Sequence, residues 1–98
     1  MGEPLFERLC LIGAGLIGGS IARVARERGD IARVVVAHSR RPETLARIRE
    51  LGFADAVEAD PARAVREADC VILCVPVGAY AGVMESIAPH LMAGAVLT

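Results

Sequence analysis

The sequence contains no lysine, asparagine, glutamine or tryptophan, and its only aromatic residues are two phenylalanines and one tyrosine. The eleven basic residues are therefore all arginine, and twelve acidic residues are scattered among them, which gives a net charge of −1. This balance excludes the large basic surface that nucleic-acid binding requires. The missing residue types themselves point to no particular function.

Long hydrophobic runs are also missing. No apolar run approaches the roughly 18 residues that a membrane-spanning helix needs, and the N-terminus has no basic segment followed by an apolar one, as a signal peptide would. We therefore expect a soluble, cytoplasmic protein without a membrane partner. The 54% share of hydrophobic residues indicates one small globular domain over residues 1–98.

Cysteine is scarce, and its placement favours a packing role. Cys10, Cys70 and Cys74 all fall in predicted core strands. Cys70 and Cys74 lie four residues apart on one strand, hence about 13 Å apart, which is too far for a disulfide or a shared metal ion. Cys10 could neighbour either of them across a sheet. Buried small hydrophobic residues in a reducing compartment are the favoured interpretation, and no metal site is expected.

A glycine-rich stretch near the N-terminus joins a predicted strand to a predicted helix. Residues 9–12 are all apolar, as in a strand covered on both faces, and apolar residues recur at helical spacing from Ile17 onward. Gly13 allows a tight turn, Gly15 lacks the Cβ that would hold a phosphate away, and Gly18 lets the helix pack against the strand. The stretch predicts a pyrophosphate site. The alternative is an ordinary glycine-rich turn.

The rest of the chain alternates strands with helices. Strands are predicted at 8–12, 33–38, 56–58, 70–75 and 95–98, and helices at 17–28, from Pro42 to Gly52, from Pro61 after the capping residue Asp60, and from Tyr80 to about Leu91. This alternation indicates the α/β class, with a Rossmann-type doubly wound parallel sheet of strand order 3-2-1-4-5 and helices on both faces. Ligands bind such sheets beyond the carboxyl ends of strands one and four.

The end of the second strand indicates which dinucleotide is bound. Enzymes that bind NAD usually place a carboxylate about 20 residues beyond the glycines, but Ser39 stands there, followed by Arg40 and Arg41. A hydroxyl and two guanidinium groups can donate hydrogen bonds to a 2′-phosphate. This favours NADP, with NAD as the alternative if the arginines are only solvated charges. His38 could lie near the adenine, although a strand-end histidine without a visible partner is more often solvated.

Two segments carry a family resemblance. Residues 13–20 read GAGLIGGS, and residues 68–77 read ADCVILCVPV. With them the chain resembles the N-terminal nucleotide-binding domain of the prephenate/arogenate dehydrogenase family of tyrosine biosynthesis, over nearly its whole length. The first segment is fairly specific, whereas the second is shared with many other dehydrogenases.

The resemblance implies an oxidoreductase that removes a hydride and carbon dioxide from prephenate or arogenate, forming an aromatic product. It also implies a longer chain, in which a helical substrate and dimerisation domain follows and supplies the catalytic groups. Neither His38 nor His90 matches the family's catalytic histidine. We therefore expect no catalytic residue in this chain, an inactive fragment, and a homodimer of the complete protein.

The resemblance further implies the cofactor-binding residues. They are Gly13, Ala14, Gly15, Leu16, Ile17 and Gly18 at the pyrophosphate turn, Ser39, Arg40 and Arg41 at the ribose, and Val75, Pro76 and Val77 on the nicotinamide side. Two alternatives remain: another NADP-dependent reductase or dehydrogenase with a similar binding half, and a non-catalytic module that senses NADP(H). Nothing in the sequence separates prephenate from arogenate as the substrate.

Overall fold

The computed structural model describes residues 5–13 and 16–98, with side chains for residues 5–13 and 20–98. The strands are β1 Phe6–Ile12, β2 Ala32–His38, β3 Ala56–Glu58, β4 Cys70–Leu73 and β5 Val96–Leu97. The α-helices are α1 Leu16–Arg28, α2 Pro42–Leu51, α3 Pro61–Ala64 and α4 Tyr80–Ile87, and 3₁₀ turns cover Val77–Ala79 and Ala88–His90.

The five strands form one parallel sheet in the order β3-β2-β1-β4-β5, which confirms the predicted class and strand order. Central strand β1 pairs with β2 on one side and with β4 on the other, so that Leu9 lies between Val35 and Cys70. The order of the strands reverses between β1 and β4. The carboxyl ends of these two strands therefore border the crevice in which doubly wound sheets bind ligands.

Strand β1 is buried on both faces, as its unbroken apolar run predicts. Leu9 and Leu11 pack into a core with α1 and α2, whereas Cys10 and Ile12 pack into a second core with α3 and α4. None of the four side chains is more than 1% exposed. Successive side chains of a strand point to opposite faces, so helices on both sides of the sheet are required to cover them.

The predicted helix boundaries hold where a capping residue is present. Helix α2 begins with Pro42 and ends at Gly52, which has φ +71° and donates its N–H to the carbonyls of Ile48 and Arg49. Helix α3 begins after Asp60, whose carboxylate accepts a hydrogen bond from the N–H of Ala62 at 3.0 Å. These local signals act within a single turn of helix.

Strand β4 is shorter than predicted, because its neighbour β1 ends first. The last ladder bond runs from the N–H of Cys74 to the carbonyl of Ile12 at 2.8 Å. The chain turns away at Gly13, the residue that follows β1. Cys74 consequently lies just beyond the strand and is half-buried. Cys10 and Cys70 are buried, and all three cysteines are free. Burial raises the pKa of the Cys10 thiol to about 12, in keeping with a packing role.

Three apolar residues of the helices, Val24, Leu51 and Tyr80, are exposed although their helical spacing would place them on inward faces. Leu51 is the last residue of α2 and Tyr80 the first of α4. Side chains at these helix ends extend past the sheet and are not covered by it. Val24 borders an open apolar groove between α1 and strands β1 and β4. No helix within residues 5–13 and 16–98 has the length and hydropathy needed to cross a bilayer.

Candidate functional site

A pocket of about 660 Å³ opens at the carboxyl edge of the sheet, where the reversal of strand order predicts it. This volume is typical of a small-molecule or cofactor site. The ends of β1 and β2 and the loop after β4 supply most of its walls, and α2, α3 and α4 close it. It is lined by Ile12, Gly13, His38, Ser39, Arg40, Arg41, Thr44, Pro61, Val75, Pro76, Gly78, Ala79, Gly82, Val83 and Ser86.

Gly13 opens the turn after β1, and two observations show that this position requires glycine. Its φ is +76°, in the left-handed region that other residues rarely adopt. A Cβ added at Gly13 would also overlap Cγ1 of Val75 on the neighbouring loop. The missing side chain therefore lets the first turn and the loop after β4 approach each other at the floor of the pocket.

The remaining residues of the predicted pyrophosphate turn are only partly described. Ala14 and Gly15 lie outside the described residues, whereas Leu16, Ile17 and Gly18 belong to the first turn of α1. The amino end of α1 thus follows the turn directly. There the unpaired N–H groups and the helix dipole favour an anion. The predicted pyrophosphate contacts of these five residues stay predictions.

His38 is buried at the end of β2, so the expectation that it is solvated is wrong. Only 4% of its surface is exposed. It lies two residues after Val36, and so on the same face of the sheet. Its Nδ1 accepts a hydrogen bond from the backbone N–H of Gly13 at 3.1 Å. The ring proton of the neutral imidazole is therefore assigned to Nε2.

The surroundings of His38 keep its imidazole uncharged. Burial lowers the pKa of His38, and the positive charge of Arg40 lowers it further. The Ala59 backbone and the carboxylates of Asp60 and Glu58 raise the pKa, but the net shift is downward. Nε2 is buried and has no hydrogen-bond partner among the residues that the structure describes. The interaction of the ring with the Ala59 backbone is therefore weaker than a well-aligned hydrogen bond.

Ser39, Arg40 and Arg41 lie together at the pocket, as predicted for the ribose end of a dinucleotide. Ser39 is 7% exposed, and its Oγ accepts a hydrogen bond from the N–H of Arg41 at 3.1 Å. The hydroxyl proton remains available to a ligand. Both arginines are exposed, and neither forms an ion pair with a carboxylate within the described part of the chain. Their positive charges therefore stay unneutralised beside the pocket.

Of the last three predicted cofactor-binding residues, all in the loop after β4, only two line the pocket. Val75 and Pro76 line the pocket, but Val77 does not and is 81% exposed. The carbonyl of Pro76 accepts the N–H of Ala79 at 2.8 Å, which tightens the loop into the 3₁₀ turn before α4. This turn carries the Val77 side chain away from the cavity.

Several lining residues on the helices carry no sequence signal that would assign them to the pocket. Thr44 of α2, Pro61 of α3, and Gly82, Val83 and Ser86 of α4 complete the wall. The hydroxyl of Ser86 donates to the carbonyl of Gly82 at 3.1 Å, so its proton is used within the helix. Helical spacing marks Val83 as inward-facing, but the ends of α3 and α4 reach the pocket only through tertiary packing.

Comparisons with known proteins agree with this fold. Residues 8–97 match the family described as NADP oxidoreductase, coenzyme F420-dependent. Over 87 residues the chain is 39% identical to the cyclohexadienyl dehydrogenase of Zymomonas mobilis, covering 89% of this chain and 29% of that protein. The chain therefore spans less than a third of the length of that relative.

Two solved structures have closely similar folds. The arogenate dehydrogenase of Synechocystis superposes with a TM-score of 0.83 and 28% identity, over 92% of this chain and 31% of the other. The prephenate dehydrogenase of Aquifex aeolicus, in complex with hydroxyphenyl propionate and NAD⁺, superposes with a TM-score of 0.82 and 21% identity, over 93% and 32%. At that identity the second match shows the fold alone. Together the comparisons confirm the resemblance carried by residues 13–20 and 68–77.

Proposed function

The chain belongs to the family described as NADP oxidoreductase, coenzyme F420-dependent, and we propose that it is the dinucleotide-binding domain of an NADP-dependent prephenate or arogenate dehydrogenase. The observation that carries this proposal is the pocket at the reversal of strand order, where the glycine turn and an arginine-bearing loop meet. The identity with the Zymomonas cyclohexadienyl dehydrogenase supports the substrate class.

The pocket residues fit a dinucleotide. The positive φ of Gly13 makes the tight turn that leads from β1 to the amino end of α1. The amino end of α1 provides N–H groups and a positive dipole for the pyrophosphate. Val75, Pro76, Ala79 and Val83 line the cavity with apolar surface, which suits the faces of a base or a ribose.

The loop after β2 favours NADP over NAD. No carboxylate lines the pocket among the described residues, and the two charged groups that do are Arg40 and Arg41. Helix α2 begins at this loop without a side-chain cap, so its positive end adds to theirs. A guanidinium hydrogen bond to a phosphate contributes about 1.5–3 kcal/mol. An NAD-type carboxylate would instead repel the 2′-phosphate.

The proposed reaction is an oxidative decarboxylation. Bound NADP⁺ would accept the hydride from the ring carbon that bears the substrate hydroxyl, while the ring carboxylate leaves as carbon dioxide and its bonding electrons complete the aromatic ring. Residues of this chain would bind and orient the cofactor. Because the chain spans 29% of the length of its relative, we place the groups that bind the substrate and take its hydroxyl proton in a further helical domain, within a cytoplasmic homodimer.

Cofactor preference is tested by measuring the affinities of NADP and NAD for the wild type, Arg40→Ala and Ser39→Asp by calorimetric titration. We expect Arg40→Ala to weaken NADP binding about tenfold or more, because a charge-assisted hydrogen bond is lost, and to leave NAD binding nearly unchanged. Ser39→Asp should reverse the preference. Arg47→Ala is the matched control, since Arg47 is likewise an exposed arginine but lies on α2 outside the pocket.

The two parts of the proposal fail separately. A wild type that binds NAD at least as tightly as NADP would contradict the cofactor assignment but leave the dinucleotide site standing. Absence of binding by either nucleotide would contradict the site itself. The reaction is tested by following NADPH formation from prephenate and from arogenate with the complete protein, since this chain by itself is expected to be inactive. A module that only senses NADP(H) would bind the nucleotide and turn over neither substrate.

A further inference from the structure

His38 is a buried titratable residue of the pocket to which the proposed function gives no role. It contributes to the pocket wall, yet its polar atoms face the protein. Its Nδ1 is 3.1 Å from the backbone nitrogen of Gly13, the residue at which the chain leaves β1. A side chain at the end of β2 thus holds the main chain at the start of the dinucleotide turn.

We propose that His38 is a positioning residue whose neutral imidazole fixes the Gly13 N–H through Nδ1, so that protonation of His38 releases the turn and weakens dinucleotide binding. The inference rests on the proposed function, because it assigns to this turn the binding of a pyrophosphate. It adds a control by pH that neither the glycine spacing nor the arginine loop implies.

Gly13 is constrained on two sides, and His38 is one of them. On the other side lies Cγ1 of Val75, which occupies the space that a Cβ would need. The φ of +76° belongs to a region in which the backbone has few alternatives once the N–H direction is fixed. The hydrogen bond to Nδ1 fixes that direction. Releasing it leaves this peptide held only through its carbonyl, that of Ile12, which accepts the N–H of Cys74 at 2.8 Å, so the N–H side of the turn can shift away from the geometry that receives phosphate.

Only the neutral form of His38 can make this hydrogen bond. Neutral imidazole offers one acceptor nitrogen, whereas imidazolium carries a proton on both nitrogens and accepts nothing. Protonated Nδ1 would place two N–H donors against each other at the observed 3.1 Å between His38 and Gly13. The ring or the turn would then have to move.

The charged groups around His38 set the pH at which this happens. Arg40, in the loop after β2, disfavours the imidazolium ion, as burial does, whereas Asp60 before α3 and Glu58 of β3 favour it. The turn after β1 and the loop after β4 present no charged side chain to the pocket among the described residues. Because the net effect lowers the pKa of His38 from 6.5, the loss of affinity should begin below that pH.

The test uses NAD as the probe, because the 2′-phosphate of NADP is expected to titrate near pH 6 like other phosphate monoesters and would obscure the effect. NAD affinity is measured at about pH 8 and about pH 5.5, on either side of the ordinary histidine pKa. Because the pKa of His38 is lowered from 6.5, only part of the protein carries the imidazolium ion at the lower pH. We therefore expect the wild type to bind NAD a fewfold more weakly there, short of the about tenfold loss expected when every molecule loses one well-placed hydrogen bond.

Two variants of His38 separate positioning from packing. His38→Asn places an amide oxygen one bond from Cγ, as Nδ1 is, and this oxygen accepts hydrogen bonds at every pH. It should restore binding to within a fewfold of the wild type and remove the pH dependence. His38→Phe keeps a ring but removes the acceptor, and should bind NAD about tenfold more weakly at both pH values. His90→Asn, at an exposed position outside the pocket, should retain the wild-type pH profile.

A second readout needs no nucleotide. In NMR spectra of the protein, the Gly13 amide signal should shift with pH along the titration curve of the His38 ring, and should cease to do so in His38→Asn. The inference is overturned if wild-type NAD affinity stays constant over the pH range in which the His38 ring is seen to become protonated, if His38→Phe binds NAD like the wild type, or if the Gly13 amide signal does not follow the titration of His38. Those results would leave the proposed function intact. Failure of the wild type to bind NAD and NADP at about pH 8, where His38 is neutral, would overturn both.

Discussion

Backbone N–H groups have different acceptors at the two ends of the parallel sheet. At the amino ends, carboxylates of the chain accept them: Asp69 takes the N–H groups of Glu7 and Arg8 at 2.9 Å each. Asp55 similarly takes the N–H of Val35 at 2.8 Å and pairs with an arginine of α1. At the carboxyl ends, the N–H of Gly13 meets a neutral imidazole, and no carboxylate lines the pocket among the described residues.

This difference separates stability from binding. A carboxylate at the pocket would accept a hydrogen bond from the backbone but would repel a phosphate. At the opposite end of the sheet a carboxylate can accept such hydrogen bonds without repelling a ligand. The two cationic side chains that line the pocket, Arg40 and Arg41, lie at the carboxyl ends of the sheet. We therefore expect substitutions at the amino ends to change the free energy of unfolding, and substitutions at the carboxyl ends to change nucleotide affinity.

The largest effect is expected from Gly13→Ala, at the carboxyl ends of the strands, where the nucleotide is proposed to bind. The new Cβ would overlap Val75, and the alanine backbone would have to keep a positive φ. The positive φ alone costs about 1–3 kcal/mol in strain. NADP affinity should fall about 100-fold in calorimetric titration, because the turn must shift. Gly52→Ala is the matched control, since Gly52 has φ +71° but no atom within 4 Å of the added Cβ. If the control lost as much NADP affinity, the contact with Val75 would not be responsible.

A smaller effect is expected at the amino end from Asp69→Asn. One of the two backbone N–H groups would lose its acceptor, which should lower the free energy of unfolding by about 1 kcal/mol without changing NADP affinity. Chemical denaturation measures the first quantity and titration the second. Asp30→Asn is the control, because Asp30 pairs with Arg28 at the surface. Equal losses of stability in both variants would argue against a role for the backbone contacts.

The same carboxylate predicts a pH dependence of stability. Desolvation raises the pKa of Asp69, but the hydrogen bonds from the N–H groups of Glu7, Arg8 and Asp69 itself outweigh it and hold the pKa below 3.8. A lowered pKa in the folded state stabilises the protein above the ordinary value and ceases to do so as the pH falls. The stability difference between wild type and Asp69→Asn should therefore shrink below about pH 4. A constant difference would contradict this assignment.

The smallest effect is expected from the ion pair of Glu7 with Arg33, also at the amino end. Its atoms are 2.8 Å apart, but the side chains of Arg33 and Glu7 are 59% and 70% exposed. Exposed pairs contribute about 0–1 kcal/mol, so Glu7→Gln should change the free energy of unfolding by less than about 0.5 kcal/mol, and by less still at high salt. A loss as large as that of Asp69→Asn would show that charge alone governs this end.

Much of the fold follows from local signals in the sequence. The unbroken apolar run of β1 requires cover on both faces, and alternation of strands with helices leaves few strand orders. Pro42, Gly52 and Asp60 mark helix ends correctly because capping involves only a few neighbouring residues. The glycine at position 13 and residues 39–41 likewise indicate the edge of the sheet at which the pocket opens, since each follows the carboxyl end of a strand.

Tertiary packing decided the rest. His38 carries no local sign of burial, and its partner at Gly13 is 25 residues away in the sequence. Val77 stands within the predicted loop yet points away from the pocket, whereas Gly82 and Ser86 reach it from α4. These outcomes depend on how neighbouring elements pack and where each strand loses its partner. Local residue patterns therefore specify which elements form and at which edge of the sheet the pocket opens. Packing between elements that are distant in the sequence specifies which side chains line the pocket and hold it in place.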